Sequence, residues 1–251
     1  MDNKYALVTG AAGGIGFELA RCAAGDGYSL IIVGSNEDRL KTAQKSLESE
    51  FPVNVVALVQ DLSVPGSAEG LYGEVEKRGL DVVCLVNNAG FGTIGPAETI
   101  PLDKDERMLT LNVITPTELC KLFLPQMYQK HSGKILNIAS TGAFNPGPYT
   151  GSYFASKSYV LSYTKALRYE AKSRGVQVSA LCPGTTRTRF FEKEGMDTPV
   201  WAMSPESVAR DGWRGLRAGS GVIVPGMMNK LIRLVPSGIK TFFTAQMKKS
   251  D

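Results

Sequence analysis

Short apolar, β-branched runs alternate along this chain with longer stretches of helical periodicity. The runs Tyr5–Val8, Ser29–Val33, Val53–Val59, Val82–Val86, Lys134–Ile138, Gln177–Leu181 and Val222–Val224 predict strands. Residues 14–25, 37–50, 67–78, 103–130 and 152–174 carry apolar positions three and four apart, the spacing of helices with one buried face. Strands that are apolar almost throughout, separated by helices, predict an α/β fold: a mostly parallel sheet with helices on both faces. No repeat, low-complexity run or linker breaks the pattern before about residue 190. The reading is a single domain over 1–251, in which 189–251 supplies a substrate loop or lid and a C-terminal segment.

The first strand leads into the first helix through Thr9-Gly10-Ala11-Ala12-Gly13-Gly14-Ile15-Gly16. Glycines serve where backbone turns sharply and approaches a phosphate, and a helix N-terminus then offers free N–H groups and a positive dipole end. That combination holds a dinucleotide pyrophosphate at the first turn of a doubly wound sheet; without a ligand it is only a glycine-rich turn. An acidic residue at the tip of strand two usually selects NAD through its ribose 2′-hydroxyl. Here Ser35 stands at that tip, and Glu37 and Asp38 come slightly later, with Ser35-x-x-Asp38 reading as a helix cap. A 2′-phosphate meets no carboxylate at the tip; Ser35 and Asn36 offer donors, and Arg39 lies one turn on. NADP(H) is therefore favoured over NAD(H), the alternative being that these residues only start a helix.

Candidate chemistry lies downstream. Ser140 closes the strand Ile135–Ser140, and Tyr153-Phe154-Ala155-Ser156-Lys157 opens a long helix. Residues four apart share a helix face, so Tyr153 and Lys157 present their heads side by side. A phenol is a poor acid–base group at neutral pH, and a neighbouring ammonium favours the phenolate. Ser140, at a strand's carboxyl end, is placed to hydrogen-bond a substrate oxygen in the crevice onto which the glycine turn opens. Each piece alone is ambiguous: a surface pair, a turn-forming serine and, at Asn112, a polar break in a helix. Their conjunction in this order is what points to a site.

Composition narrows the alternatives. Of 251 residues, 43% are hydrophobic and 21% charged, which is ordinary for a soluble globular protein. The sequence contains no apolar stretch of the ~20 residues that span a bilayer, and the N-terminus runs straight into a strand without a signal peptide, so a cytoplasmic protein is expected. Cys22, Cys84, Cys120 and Cys182 form no C-x-x-C pair and read as buried thiols; with His131 the single histidine, no metal site is expected. No G-x-S-x-G elbow supports a serine hydrolase, and no nucleic-acid-reading motif appears. Residues 212–250 hold seven basic side chains (Arg214, Arg217, Lys230, Arg233, Lys240, Lys248, Lys249) and no acidic one. Met227–Val235 and Ile239–Lys249 read as two short amphipathic basic helices. Packing over the pocket or against a second subunit is favoured for them; contact with an anionic membrane surface is the alternative.

At this point the chain resembles the short-chain dehydrogenase/reductase family over essentially its whole length. The matching motifs are Thr9-Gly10-x-x-x-Gly14-x-Gly16, Asn87-Asn88-Ala89-Gly90, Asn112, Ser140, Tyr153-x-x-x-Lys157 and Pro183-Gly184. The resemblance implies a seven-stranded Rossmann sheet, a homodimer or homotetramer, and hydride transfer between NAD(P) and a carbonyl or alcohol carbon. It implies that Tyr153 is the general acid in reduction and, as phenolate, the base in oxidation. Lys157 would lower the Tyr153 pKa and hold the nicotinamide ribose. Ser140 would bind the developing alkoxide, and Asn112 would keep a relay water. Gly10, Gly14 and Gly16 would shape the pyrophosphate turn, with the Ile15 N–H near a phosphate. Asp61 and Leu62 would lie on the adenine side, Asn88, Ala89, Gly90, Pro183 and Gly184 along the cofactor, and Thr188 at the carboxamide, while Asn87 would tie neighbouring strands. Phe144 and Tyr149, with Gly92, Phe190, Phe191, Met196 and Trp201, are expected to line an apolar substrate pocket. The expected reaction is NADPH-dependent reduction of an apolar ketone, aldehyde or 3-oxoacyl compound to an alcohol. The alternatives are an NAD-dependent alcohol dehydrogenase on the same site and a catalytically retired NAD(P)-binding sensor or scaffold.

Overall fold

In the first strand, Ala6 and Val8 face one layer of the core while Tyr5 and Leu7 face the other, and all four are buried. The computed structural model describes residues 4–188, 199 and 201–248. Its strands are β1 (Lys4–Thr9), β2 (Ser29–Gly34), β3 (Val55–Val59), β4 (Asp81–Asn87), β5 (Gly133–Ile138), β6 (Val176–Leu181) and β7 (Val222–Ile223). All pair in parallel, in the order β3-β2-β1-β4-β5-β6-β7. The order reverses between β1 and β4, and ligands of such sheets bind in the crevice beyond the strand ends at that point.

Helices cover both faces. On one lie α1 (Gly14–Gly25), α2 (Glu37–Glu50) and a late helix, α7 (Pro205–Arg217); on the other, α3 (Ser67–Lys77), α5 (Thr115–Gln129) and α6 (Gly151–Lys172). Burial on two faces is why the strands read as continuous apolar runs rather than as alternation. The segment predicted as one helix over 103–130 is instead α4 (Leu102–Leu109), a π-turn at Thr110–Ile114 and then α5. The turn carries Asn112 into the interior.

Helix α7 was not anticipated. Ser204 caps it, its Oγ accepting the Ser207 N–H at 3.2 Å, and Pro205 opens it. Val208, Ala209, Trp213 and Leu216 form its buried stripe. Gly212 and Gly215 break helical propensity, but a Cβ on either would come within 2.6 Å of Leu181 or Ile223. The glycines therefore let the helix lie close on β6 and β7. Trp213 Nε1 donates to Asp26 at the end of α1 at 2.9 Å, and Arg217 reaches the same carboxylate at 3.1 Å.

The described residues end in α8 (Met227–Ile232) and α9 (Ser237–Lys248), close to the two predicted basic helices. The four cysteines are free thiols, with Cys84, Cys120 and Cys182 buried. Among the described residues no cluster of His, Cys, Asp or Glu is arranged to hold a metal, and no helix is long and apolar enough to cross a membrane.

Candidate active site

The turn after β1 is shaped by what a side chain would strike. Gly10 sits at φ +67°, and a Cβ there would come within 2.8 Å of Asn88 Nδ2 and 2.9 Å of Ala89 Cα. One on Gly16 would meet Asn88 Nδ2 at 2.3 Å and the Gly10 carbonyl oxygen at 2.4 Å. The side chain of Asn88, expected along the cofactor, is committed to this turn: Nδ2 donates to the Thr9 and Gly10 carbonyls at 2.9 and 3.2 Å. Thr9 Oγ1 accepts the Asn88 and Ala89 N–H groups, both at 3.0 Å, closing the clasp between β1 and β4. Gly14, at φ +58°, opens α1, whose N-terminus has neither a side-chain cap nor an acidic residue in its first turn. Thr188 stands over it, 3.2 Å from where a Gly14 Cβ would be. A bare helix N-terminus reached through side-chain-free backbone suits a pyrophosphate, and Gly14, Ile15 and Gly16 would hold it.

At the end of β2, Ser35, Asn36 and Arg39 are exposed. The helix cap predicted at Ser35 falls on Asn36, whose Oδ1 accepts the Arg39 N–H at 3.0 Å, leaving the amide NH₂ as that side chain's donor end. Glu37 is paired with Lys41. Beyond β3, Asp61 accepts from Ser63 and, at 2.6 Å, from Arg107 of α4. Burial raises its pKa, but the Ser63 and Arg107 bonds outweigh that and hold it below the usual carboxylate value. Leu62 is buried beside it. Asn87 ties the layers under the crevice, donating to Asn137 Oδ1 at 2.8 Å, and Asn137 donates on to Thr164 at 3.0 Å.

Ser140, Tyr153 and Lys157 come together where β5 meets α6. Ser140 hydrogen-bonds the Tyr153 phenol and also accepts the Gly142 N–H at 3.0 Å, starting a short 3₁₀ turn at Thr141–Phe144. Lys157 is buried, donates to the Ile138 carbonyl at 2.9 Å, and lies 5.9 Å from the centre of the Tyr153 ring. Burial pushes Tyr153 up to about 12, opposed by the Ser140 bond, and pushes Lys157 down to about 8. The lowering of Tyr153 expected from Lys157 is not among the effects on it here: burial, opposed by the Ser140 bond, holds the phenol proton. Asn112 lies across the same corner. It donates to the Phe91 carbonyl at 2.9 Å and to Ser156 at 3.1 Å, and accepts the Phe91 N–H at 3.2 Å. Gly90 passes between Asn112 and Lys157; a Cβ there would come within 2.8 Å of Asn112 Oδ1 and 3.3 Å of Lys157 Nζ.

Beside this corner is a groove of about 390 Å³, within the range of small-molecule sites. Its wall starts one residue past each hydroxyl, at Thr141 and Phe154, and continues through Phe144, Ile232, Ile239 and Phe243, with Arg233 and Lys240 among the lining residues. Arg233 lies 5.0 Å over the Phe144 ring. Three of these contacts were missed in the sequence. Phe154 lies against Gly142 and Gly147, where a Cβ would come within 3.1 and 2.4 Å of its ring; two glycines facing one aromatic was the available signal. Asn229 presses on Gly184 in the same way, at 2.5 Å, and Arg233 carried no distinguishing pattern. Tyr149, half-buried, takes φ +61°, uncommon for a bulky residue, and its carbonyl accepts the Gly95 N–H at 2.8 Å. Trp201 is mostly exposed, so it does not supply the buried lining expected of it. Phe190, Phe191 and Met196 lie outside the described residues.

A family model described as short chain dehydrogenase matches residues 4–198. A human very-long-chain 3-oxoacyl-CoA reductase is 27% identical, over 98% of this chain and 80% of its own length. A short-chain dehydrogenase from Sphingobium yanoikuyae, solved in complex with NADPH, superposes with a TM-score of 0.85 at 27% identity, covering 99% of this chain and 97% of that one. A bulky-bulky ketone specific alcohol dehydrogenase from Comamonas testosteroni gives 0.82 at 25%, covering 98% and 93%. With the family model matched over most of its length, and relatives named as dehydrogenases and reductases, this chain belongs to the short-chain dehydrogenase/reductase family and is an NAD(P)-dependent oxidoreductase.

Proposed function

We propose that the protein reduces an apolar ketone, aldehyde or 3-oxoacyl compound to the alcohol with NADPH. The observation that carries this is the arrangement of Tyr153, half-buried, hydrogen-bonded to Ser140 and with Lys157 Nζ 5.9 Å from the centre of its ring. Bound NADPH supplies the hydride. Tyr153 gives its proton to the carbonyl oxygen as negative charge develops there, and Ser140 donates a hydrogen bond to the same oxygen. Lys157 is still mostly charged at neutral pH and stabilises the phenolate left behind. Asn112 acts as a positioning residue, fixing Phe91 and Ser156 around Lys157. Phe144 and the groove behind it support an apolar substrate, and so do the names of the ketone- and 3-oxoacyl-reducing relatives.

For the cofactor, the carboxylate-free end of β2 and the NADPH-bound neighbour support NADP(H). A homo-oligomer is supported by Ile114 and Tyr159, large apolar side chains exposed at the start of α5 and on α6. The test is a fluorescence titration with NADPH and NADH, followed by a panel of apolar ketones and 3-oxoacyl thioesters. Tighter NADPH binding and its oxidation when a carbonyl is added is the expected result. Tighter NADH binding overturns the cofactor assignment, and bound NADPH that no carbonyl oxidises overturns the reductase.

A further inference from the structure

Half of the large apolar side chains exposed among the described residues crowd into α8, α9 and the link between them: Met227, Met228, Leu231, Ile232, Leu234, Ile239, Phe242 and Phe243. Soluble surfaces seldom expose such a patch without a partner. Met227, Leu231 and Leu234 follow helical spacing, as do Ile239, Phe242 and Phe243. Ile232, Ile239 and Phe243 also line the groove, whereas Met228, Leu234 and Phe242 do not, and these three are 67%, 80% and 60% exposed. The charge carried by this segment itself has one sign. Between Asp211 and Asp251 the sequence holds cations only, among them Lys230, Arg233 and Lys240.

We propose that α8 and α9 dock the protein on the surface of an anionic lipid bilayer. A symmetric contact with a second copy would set Lys230, Arg233 and Lys240 against themselves, with no carboxylate in the segment to pair with them. An anionic bilayer satisfies both halves of the pattern. Methionine, leucine and phenylalanine side chains enter the acyl boundary, and lysine and arginine heads stay at the phosphates. The two helices also form one wall of the groove, so docking sets that wall at the lipid surface. No helix among the described residues is long and apolar enough to span the bilayer, so the contact is with its surface.

The test is flotation of the whole protein with phosphatidylcholine vesicles, with and without phosphatidylserine. Binding is expected with phosphatidylserine, to weaken as salt is raised, and to be slight on phosphatidylcholine alone. The triple variant Met228→Ser, Leu234→Ser, Phe242→Ser should lose at least about tenfold in partitioning, and Lys230→Glu at least about fivefold. NADPH binding and sedimentation mass should be unchanged in both. If the triple variant does not fold, Lys230→Glu alone decides. Wild-type protein that stays off phosphatidylserine vesicles, or variants that bind as wild type does, overturn the proposal. So does a triple variant of lower assembled mass, which would assign the patch to a second copy.

Discussion

Lys157→Met should give a protein that is more stable and nearly inactive. In the folded chain the lysine titrates at about 8 instead of 10.5 because burial opposes its charge. That difference amounts to about 3 kcal/mol against folding at neutral pH. Methionine keeps an apolar, unbranched stem of similar reach and removes the ammonium. The loss on the other side is the bond to the Ile138 carbonyl, about 1 kcal/mol. The net gain is about 2 kcal/mol, or about 4–8 °C in Tm for a chain of this length. Its pH dependence has a definite sign. Between about 8 and 10.5 the unfolded chain holds a proton that the folded one has released, so wild-type stability rises with pH over that window. The advantage of Lys157→Met should therefore shrink by about 2 kcal/mol on going from neutral to about pH 9.5, and nearly vanish. Urea unfolding of both proteins at the two pH values measures it, since the other titrating groups are common to both and cancel. A variant less stable than wild type at neutral pH, or a gain that does not change with pH, would refute the reasoning.

Tyr153→Phe should lower kcat for carbonyl reduction by about 10²–10⁴ while NADPH binding stays near wild type, as single-turnover kinetics and nicotinamide fluorescence will show. Ser35→Asp places a carboxylate at the β2 tip and should shift the NADPH-to-NADH affinity ratio toward NADH by at least about tenfold, measured by paired titrations. Gly16→Ala would bring a Cβ to 2.4 Å from the Gly10 carbonyl oxygen, and should cost about 1–3 kcal/mol of stability and weaken both cofactors. Gly73→Ala, in α3 with nothing within 4 Å of its Cβ position, should instead stabilise by about 0.5–1 kcal/mol, and thermal melts compare the two.

The sheet was legible because burial on both faces makes most strands nearly continuous apolar runs, and the strands lie at or within two residues of those runs. The glycine turn and the Ser140, Tyr153 and Lys157 set were legible because their spacing is itself geometric. Helix α7 was not, since Gly212 and Gly215 lower propensity for the sake of packing on Leu181 and Ile223, and close approach leaves no local trace. The π-turn at Asn112 and the capping role of Asn36 were invisible for a related reason. Each depends on which hydrogen bond wins among near neighbours, Asn112 with Phe91 and Ser156, Asn36 with Arg39. The sequence shows the cation four residues from Tyr153, but the upward push of burial on the phenol comes only with the packing around it.

The bond from Trp213 to Asp26 spans 187 residues, and it sets an order of events during synthesis. At ribosomal speeds of about 5–20 residues per second, α1 waits about ten to forty seconds for the helix that covers it. Through that interval the apolar face of Leu19, Ala20 and Ala23 lacks the helix that completes its layer, although β2 and β4 join β1 well before the interval ends. The nascent chain must therefore carry an incomplete layer until its last quarter emerges. Chaperone capture during translation should be concentrated in that interval, and a chain stopped before residue 205 should not keep α1 folded down.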